Sequence, residues 1–103
     1  MEDIYKIIKE IESDDFTTQR SIADNLGYSL GKVNYLIKSL VDKGVIKLEN
    51  FKNSNNKLAY RYILTPVGIK EKMKITREYL RRKEEEYEVM RSEIEELRRE
   101  VEI

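Results

Sequence analysis

The sequence predicts a mainly α-helical fold of the α+β class, with one small β-hairpin and a long C-terminal helix. Three observations lead to this prediction. Apolar residues recur with helical spacing through residues 1–44, two short β-rich runs flank a polar turn, and a four-and-three spacing then continues to the end. A chain of 103 residues has room for one domain and an appended helix.

The first two predicted helices are short. The first runs from about Asp3 to Ser13, where isoleucines recur on one face: Ile4, Ile7, Ile8 and Ile11. Thr18 can cap the second helix through its hydroxyl, and Gly27 can supply the left-handed residue that ends it. Its buried side is expected to consist of Ile22, Ala23 and Leu26.

A third helix is predicted after a three-residue turn, with Ser29 as its N-cap, an end at about Lys43 and Gly44 as its stop. Its apolar face should comprise Val33, Leu36, Ile37, Leu40 and Val41. Its outward face then carries Gly31, Lys32, Asn34, Tyr35 and Lys38. Two helices joined by a short turn that contains glycine are typical of a helix-turn-helix.

After Gly44 the pattern indicates a hairpin. Val45–Lys52 and Leu58–Leu64 are β-rich, and the polar run Asn53–Lys57 separates them as a turn. Thr65 and Pro66 then resemble an N-cap followed by proline at the first position of a helix.

The last helix has the heptad spacing of a coiled coil. Its a positions hold Met73, Leu80, Tyr87, Ile94 and Val101, and its d positions hold Ile69, Thr76, Lys83, Met90 and Leu97. Only Thr76 and Lys83 interrupt the apolar row. A parallel pairing would bring Glu86 near Arg91 and Glu93 near Arg98 of a second chain. We therefore expect one domain over residues 1–65 and a dimerisation helix over residues 66–103.

Charge and composition limit the classes of function that this chain can have. The net charge is zero, but residues 17–83 carry fifteen Lys and Arg against five Asp and Glu, a net of +10. Such a block is a candidate surface for a polyanion. The absence of cysteine and histidine removes the usual metal ligands and general base, so no metal, no cofactor and no enzymatic activity are expected. No apolar run is long enough to span a bilayer, so a cytoplasmic, nucleoid-associated protein is expected.

The order of the predicted elements is that of a winged helix-turn-helix domain, whose third helix enters the DNA major groove. Asn34 can pair with adenine, Lys32 and Lys38 can reach guanine or phosphate, and Tyr35 can contact a thymine methyl group or a phosphate. Gly31 would allow a close approach of the backbone. Gln19 and Arg20, at the start of the second helix, can contact a phosphate. The full set of predicted DNA contacts is Gln19, Arg20, Ser29, Gly31, Lys32, Asn34, Tyr35, Lys38, Lys52, Asn55, Lys57 and Arg61.

Two segments also resemble a known family. Thr18–Ser29 and Lys32–Gly44 are similar to the DNA-reading unit of MarR-type regulators. Ser29–Tyr35, Asn50–Leu58 and Leu64–Gly68 are similar to the small MarR-family regulators associated with exopolysaccharide gene clusters. The resemblance implies a transcription factor that binds duplex DNA as a homodimer. One long helix stands here in place of the family's multi-helix dimerisation domain, so a small-molecule effector is not expected.

The sequence therefore favours a transcriptional regulator, a repressor rather than an activator, that binds a pseudo-palindromic operator as a homodimer. The alternative is a winged-helix adaptor that docks an acidic protein and dimerises through its coiled coil.

Overall fold

The computed structural model describes residues 2–13, 17–52 and 58–102. Of residues 51, 52, 58 and 59, which lie within these ranges, it describes the backbone alone. Within these residues, four helices and two strands follow one another in the predicted order. They are α1 (Glu2–Ser13), α2 (Gln19–Leu26), α3 (Leu30–Asp42), β1 (Ile46–Lys52), β2 (Leu58–Leu64) and α4 (Pro66–Glu102). The predicted mainly helical fold with a hairpin and a long last helix is confirmed.

The turn between α2 and α3 is defined by caps that the sequence predicts. The Thr18 hydroxyl accepts a hydrogen bond from the backbone N–H of Ser21, and the Ser21 hydroxyl accepts one from the N–H of Thr18, both at 3.0 Å. Ser29 accepts from the N–H of Lys32 at 3.1 Å. Gly27 ends α2 with φ of 71°, a left-handed conformation that glycine adopts without a Cβ clash. These caps satisfy N–H groups that a helix start leaves unpaired.

A single core joins all the helices to the base of the hairpin. Its members are aliphatic side chains from α1, α2, α3, α4 and the start of the hairpin: Ile7, Ile8, Ile11, Ile22, Ala23, Val33, Ile37, Leu40, Val45, Ile46 and Ile75. Leu36 and Leu26 pack against this core while remaining partly accessible. Burying such side chains gives about 1.5 to 3 kcal/mol each relative to leaving them exposed, so the core holds α3 in a fixed orientation.

The predicted inward position of Val41 is wrong. Its side chain is 41% exposed, whereas Val33, Ile37 and Leu40 are 3% exposed or less. Successive residues of a helix are about 100° apart, which places Val41 at the edge of the face centred on these three residues.

The hairpin is antiparallel, with Ile46 opposite Leu64 at its base and Lys52 opposite Leu58 at its far end. Tyr62 and Leu64 pack against the core, whereas Tyr60, two residues nearer the far end, is exposed. We call β1 and β2 together the wing. The predicted turn Asn53–Lys57, with Asn55 and Lys57, lies outside the described residues.

Val45 connects α3, the wing and α4. Its N–H donates to the carbonyl oxygen of Leu40 in α3 at 2.9 Å, and its own carbonyl oxygen accepts from the N–H of Thr65 at 3.0 Å. The Thr65 hydroxyl in turn accepts from the N–H of Gly68 at 2.9 Å, which confirms Thr65 as the N-cap of α4. Gly68 is buried so closely against Val45 that an added Cβ would overlap the Val45 carbonyl.

The first third of α4 packs on α1. Ile75 enters the core, the ring of Tyr79 stacks on that of Tyr5 at 4.7 Å between centroids, and Lys72 forms an ion pair with Glu12 at 2.6 Å. Every described residue from 80 to 102 is exposed, so the rest of the helix projects away from the domain. The molecule is consequently 70 Å long but only 26 Å wide.

We expect Gly68→Ala to destabilise the fold by about 1 to 3 kcal/mol, because its Cβ would force the start of α4 away from Val45. Urea unfolding followed by circular dichroism measures this loss. Gly31→Ala is the matched control: nothing lies within 4 Å of its added Cβ, and alanine favours a helix over glycine by up to about 1 kcal/mol. Equal unfolding midpoints for the wild type and Gly68→Ala would contradict the packing described for Val45.

Candidate nucleic-acid interface

The first half of α3 presents a polar surface on a rigid support. Gly31, Lys32, Asn34, Tyr35 and Lys38 are all exposed, as the sequence predicts, and Tyr35 is 72% exposed. The opposite side of the same turns is buried in the core. A helix held in this way can offer donors and acceptors to a second molecule without moving. We call these five residues the α3 face.

Lys32 belongs to a cluster that the sequence did not reveal. Its ammonium lies 3.1 Å from Asp3 of α1 and 4.0 Å from the centre of the Tyr28 ring. The Tyr28 hydroxyl donates to the other Asp3 oxygen at 2.6 Å. An acidic residue from the first turn of α1 therefore neutralises a lysine of the α3 face.

The cluster changes the pKa of two groups. The hydrogen bond from Tyr28, followed by that from Lys32, lowers the pKa of the Asp3 carboxyl. Burial, followed by the hydrogen bond to Asp3, raises the pKa of Tyr28 to about 12. The stabilisation linked to Asp3 is present above its unfolded pKa and is lost as pH falls through its folded pKa. That linked to Tyr28 is present below its unfolded pKa and is lost as pH rises towards 12.

Gln19 and Asn34 are connected through their side-chain amides. The Nδ2 group of Asn34 donates to Oε1 of Gln19 at 3.1 Å, and Nε2 of Gln19 donates to the hydroxyl of Tyr62 in β2 at 3.2 Å. Gln19 is half-buried at the first position of α2. The sequence predicts Gln19 as a phosphate contact, and the structure uses both ends of its amide to join α3 to the wing.

The remaining predicted contacts lie on three different parts of the surface. Arg20 is exposed in the first turn of α2, where backbone N–H groups and the helix dipole favour an anion. Ser29 uses its hydroxyl as the N-cap of α3. Arg61 forms a cross-strand ion pair with Glu49 at 3.2 Å. The side chain of Lys52, and Asn55 and Lys57 entirely, lie outside the described residues.

Within residues 2–13, 17–52 and 58–102, no three His, Cys, Asp or Glu side chains are grouped so that they could hold a metal ion. In the same parts of the chain, no helix is long and apolar enough to cross a membrane.

Comparison with known proteins identifies the domain. Residues 4–47 match a family model described as winged helix-turn-helix DNA-binding. A search of curated proteins gives no significant match. Residues 4–47 are therefore similar to winged helix-turn-helix DNA-binding domains.

Solved structures show the same fold in larger proteins. The PcaV transcriptional regulator from Streptomyces coelicolor matches with a TM-score of 0.61 at 12% identity, over 79% of this chain and 56% of its own. Staphylococcus aureus MarR matches at 0.54 and 20% identity, over 77% and 53%. The zinc-dependent MarR-family regulator AdcR matches at 0.51 and 27% identity, over 84% and 59%.

The fold is therefore that of MarR-family regulators, which confirms the resemblance seen in the sequence. This chain spans little more than half the length of these three proteins. The narrower similarity to the exopolysaccharide-associated regulators stays a prediction.

We expect Tyr28→Phe to raise the pKa of Asp3 towards its ordinary value of about 3.9, because the phenylalanine cannot donate the 2.6 Å hydrogen bond. An NMR titration of the Asp3 carboxyl carbon measures the shift. Tyr35→Phe removes a hydroxyl from the same surface and should leave the Asp3 titration unchanged. An unchanged Asp3 pKa in Tyr28→Phe would mean that the Tyr28 hydroxyl does not hold this carboxylate.

Proposed function

We propose that this chain is a sequence-specific transcriptional regulator, a repressor, that binds duplex DNA as a homodimer on a pseudo-palindromic operator. The observation that carries the proposal is the α3 face, because its exposed polar groups stand on a helix that the core holds rigidly. The winged helix-turn-helix match over residues 4–47 supports the same conclusion.

The residue types on the α3 face suit the major groove. Asn34 offers an amide, which can pair with adenine through two hydrogen bonds. Tyr35 can contact a thymine methyl group, and Lys38 can reach guanine acceptors or a phosphate. Gly31 has open space around its missing side chain, so no contact within the described residues requires glycine there. A close approach of DNA backbone or base edges would give this glycine a purpose.

Phosphate contacts supply most of the affinity in such complexes. Arg20 is exposed in the first turn of α2, at the positive end of the helix dipole, where it could meet a phosphate next to the α3 face. Lys52, Asn55, Lys57 and Arg61 place further donors on or near the wing. The net charge of +10 over residues 17–83 acts in the same direction.

The two sides of α4 suit two different tasks. Gly68 and Ile75, one heptad apart, are both buried against the domain. The a and d positions lie about 130° around the helix from them, and every apolar member of that row is between 43% and 85% exposed. The row comprises Ile69, Met73, Leu80, Tyr87, Met90, Ile94, Leu97 and Val101. A second copy of α4 could therefore cover this row without displacing the helix from its own domain.

Charges beside the row favour a parallel pair. Glu86 and Glu93 would each face an arginine five residues further along the other helix. Arg91 already bonds to Glu88 and Glu95 within its own helix, at 2.9 Å and 2.8 Å. Because arginine has five N–H donors, it can keep one of these carboxylates and still bind Glu86 of a second chain. Such exposed pairs contribute about 0.2 to 1 kcal/mol each and select orientation rather than provide affinity.

A parallel pair would place two α3 helices in successive major grooves. Half-sites would then be about 34 Å apart, one turn of DNA, and a bound dimer on a promoter would exclude other proteins from it. Repression is the direct consequence of that occupancy.

We expect Asn34→Ala to weaken binding to a duplex selected from a random pool by about 1 to 3 kcal/mol, and to weaken binding to scrambled DNA much less. The reason is that an amide–adenine pair exists only on the selected sequence. Fluorescence anisotropy on both duplexes at fixed salt measures the two affinities. An equal loss on both would assign Asn34 to the DNA backbone instead.

We expect Met90→Lys to convert the dimer to a monomer at micromolar concentration, since a charge at a d position has to be desolvated in the pair. Sedimentation equilibrium measures the mass. Val89→Lys is a matched control, because Val89 is the adjacent residue, equally exposed at 60% against 59%, and lies off the a/d row. If both variants or neither dissociated, the a/d row would not be the contact.

A further inference from the structure

The side chain of Asn34 is exposed, yet its amide is hydrogen-bonded to a neighbouring side chain. An asparagine amide can turn by half a revolution and exchange its oxygen and nitrogen. Reading adenine requires one orientation, in which Oδ1 accepts from the adenine N6 amino group while Nδ2 donates to N7. Whatever holds Nδ2 in place therefore selects which base Asn34 can read.

Gln19 holds it. Oε1 of Gln19 accepts from Nδ2 of Asn34 at 3.1 Å, and Nε2 of Gln19 donates to the Tyr62 hydroxyl at 3.2 Å. Gln19 and Tyr62 are both half-buried, and Tyr62 also packs against the core. The amide of Gln19 is thus anchored at one end by the wing and presents an acceptor to Asn34 at the other.

This arrangement leaves a useful pair of groups on Asn34. Its Nδ2 carries two hydrogens, of which Gln19 uses one. Pairing with adenine uses Oδ1 and the hydrogen on the same side of the amide, so it requires Gln19 to accept the other hydrogen. A side chain oriented before binding also loses less conformational freedom when DNA arrives.

We infer that Gln19 is a specificity-determining positioning residue: it sets the orientation of Asn34 for adenine, and Tyr62 anchors it. The inference rests on the proposed function. It differs from the phosphate contact that the sequence suggests for Gln19. Tyr62, a residue of the wing, makes no DNA contact in this scheme. It would still affect which base is selected, because it holds Gln19.

The test compares discrimination, meaning the ratio of affinities for two duplexes. One duplex is selected by the wild-type protein from a random pool, and the other is its scrambled sequence. Gln19→Met keeps the size of the side chain and removes both hydrogen bonds. We expect it to lower discrimination about tenfold, within the roughly 5- to 150-fold that a bidentate amide–adenine pair provides.

Gln19→Glu provides the contrast. Its carboxylate still accepts from Nδ2 of Asn34 and can accept from the Tyr62 hydroxyl, so discrimination should be kept. Its negative charge should lower affinity for both duplexes alike. Tyr62→Phe, which keeps the ring and removes the anchor, should lower discrimination by less than Gln19→Met.

Two further variants serve as controls in the same binding experiment. Gln19→Met combined with Asn34→Ala should discriminate no worse than Asn34→Ala alone, because Gln19 acts only through Asn34. Asn25→Ala breaks an amide bond to Glu10, 3.0 Å long and on a different part of α2, and should leave discrimination unchanged. Circular dichroism establishes that each variant is folded.

The outcomes separate the two proposals. An equal loss of affinity on both duplexes in Gln19→Met would make Gln19 a phosphate contact and overturn the inference. Unchanged discrimination in Gln19→Met would overturn it as well. A wild-type protein that selects no sequence would overturn the proposed function, and the specificity role of Gln19 with it. NMR signals of the Asn34 amide that respond to Gln19→Met in free protein would then establish the contact without a DNA-reading role.

Discussion

The backbone of Val45 fixes the placement of α3, the wing and α4 relative to one another. Its N–H is bonded to the end of α3, its carbonyl oxygen to the residue that caps α4, and its side chain is buried in the core. Gly68 packs directly on that carbonyl. Because both peptide groups of one buried residue are shared in this way, α3 and α4 cannot turn independently near this point. The direction in which a partner chain would approach is thereby linked to the direction in which α3 faces.

Around this fixed point, the polar residues of the α3 face divide into two groups. Lys32 and Asn34 are already bonded within the chain, to Asp3 of α1 and to Gln19 of α2. Tyr35 belongs to the second group, and its side chain is 72% exposed to solvent. Asn34 can keep its internal bond while it binds another group, because an amide has spare hydrogens and lone pairs. Lys32 faces a carboxylate that competes with any phosphate, so Asp3 opposes part of the attraction that its charge would provide.

Local signals in the sequence predict the elements well. Thr18, Ser29 and Thr65 are hydroxyl residues placed just before the predicted helices, and each proves to be an N-cap. The limits of β2 agree with the β-rich run in the sequence. These features depend on neighbouring residues alone. Periodicity wrongly predicts an inward position for Val41. A residue at the edge of an apolar stripe is buried or exposed according to what packs beside it, and periodicity carries no information about that neighbour.

The parts of the candidate site that escaped prediction all depend on tertiary contacts. Asp3 reaches Lys32 across 29 positions, and Gln19 reaches Tyr62 across 43. No local pattern marks such pairs, since they arise only once α1 and the wing are docked on the helix-turn-helix. The last part of α4 differs from these tertiary contacts. Its hydrogen bonds and ion pairs beyond Lys83, among the described residues, are all internal to the helix. The core excludes that segment, so under the proposed function two folded copies would pair through it. Occupancy of an operator by such pairs would rise with the square of protein abundance while copies are scarce.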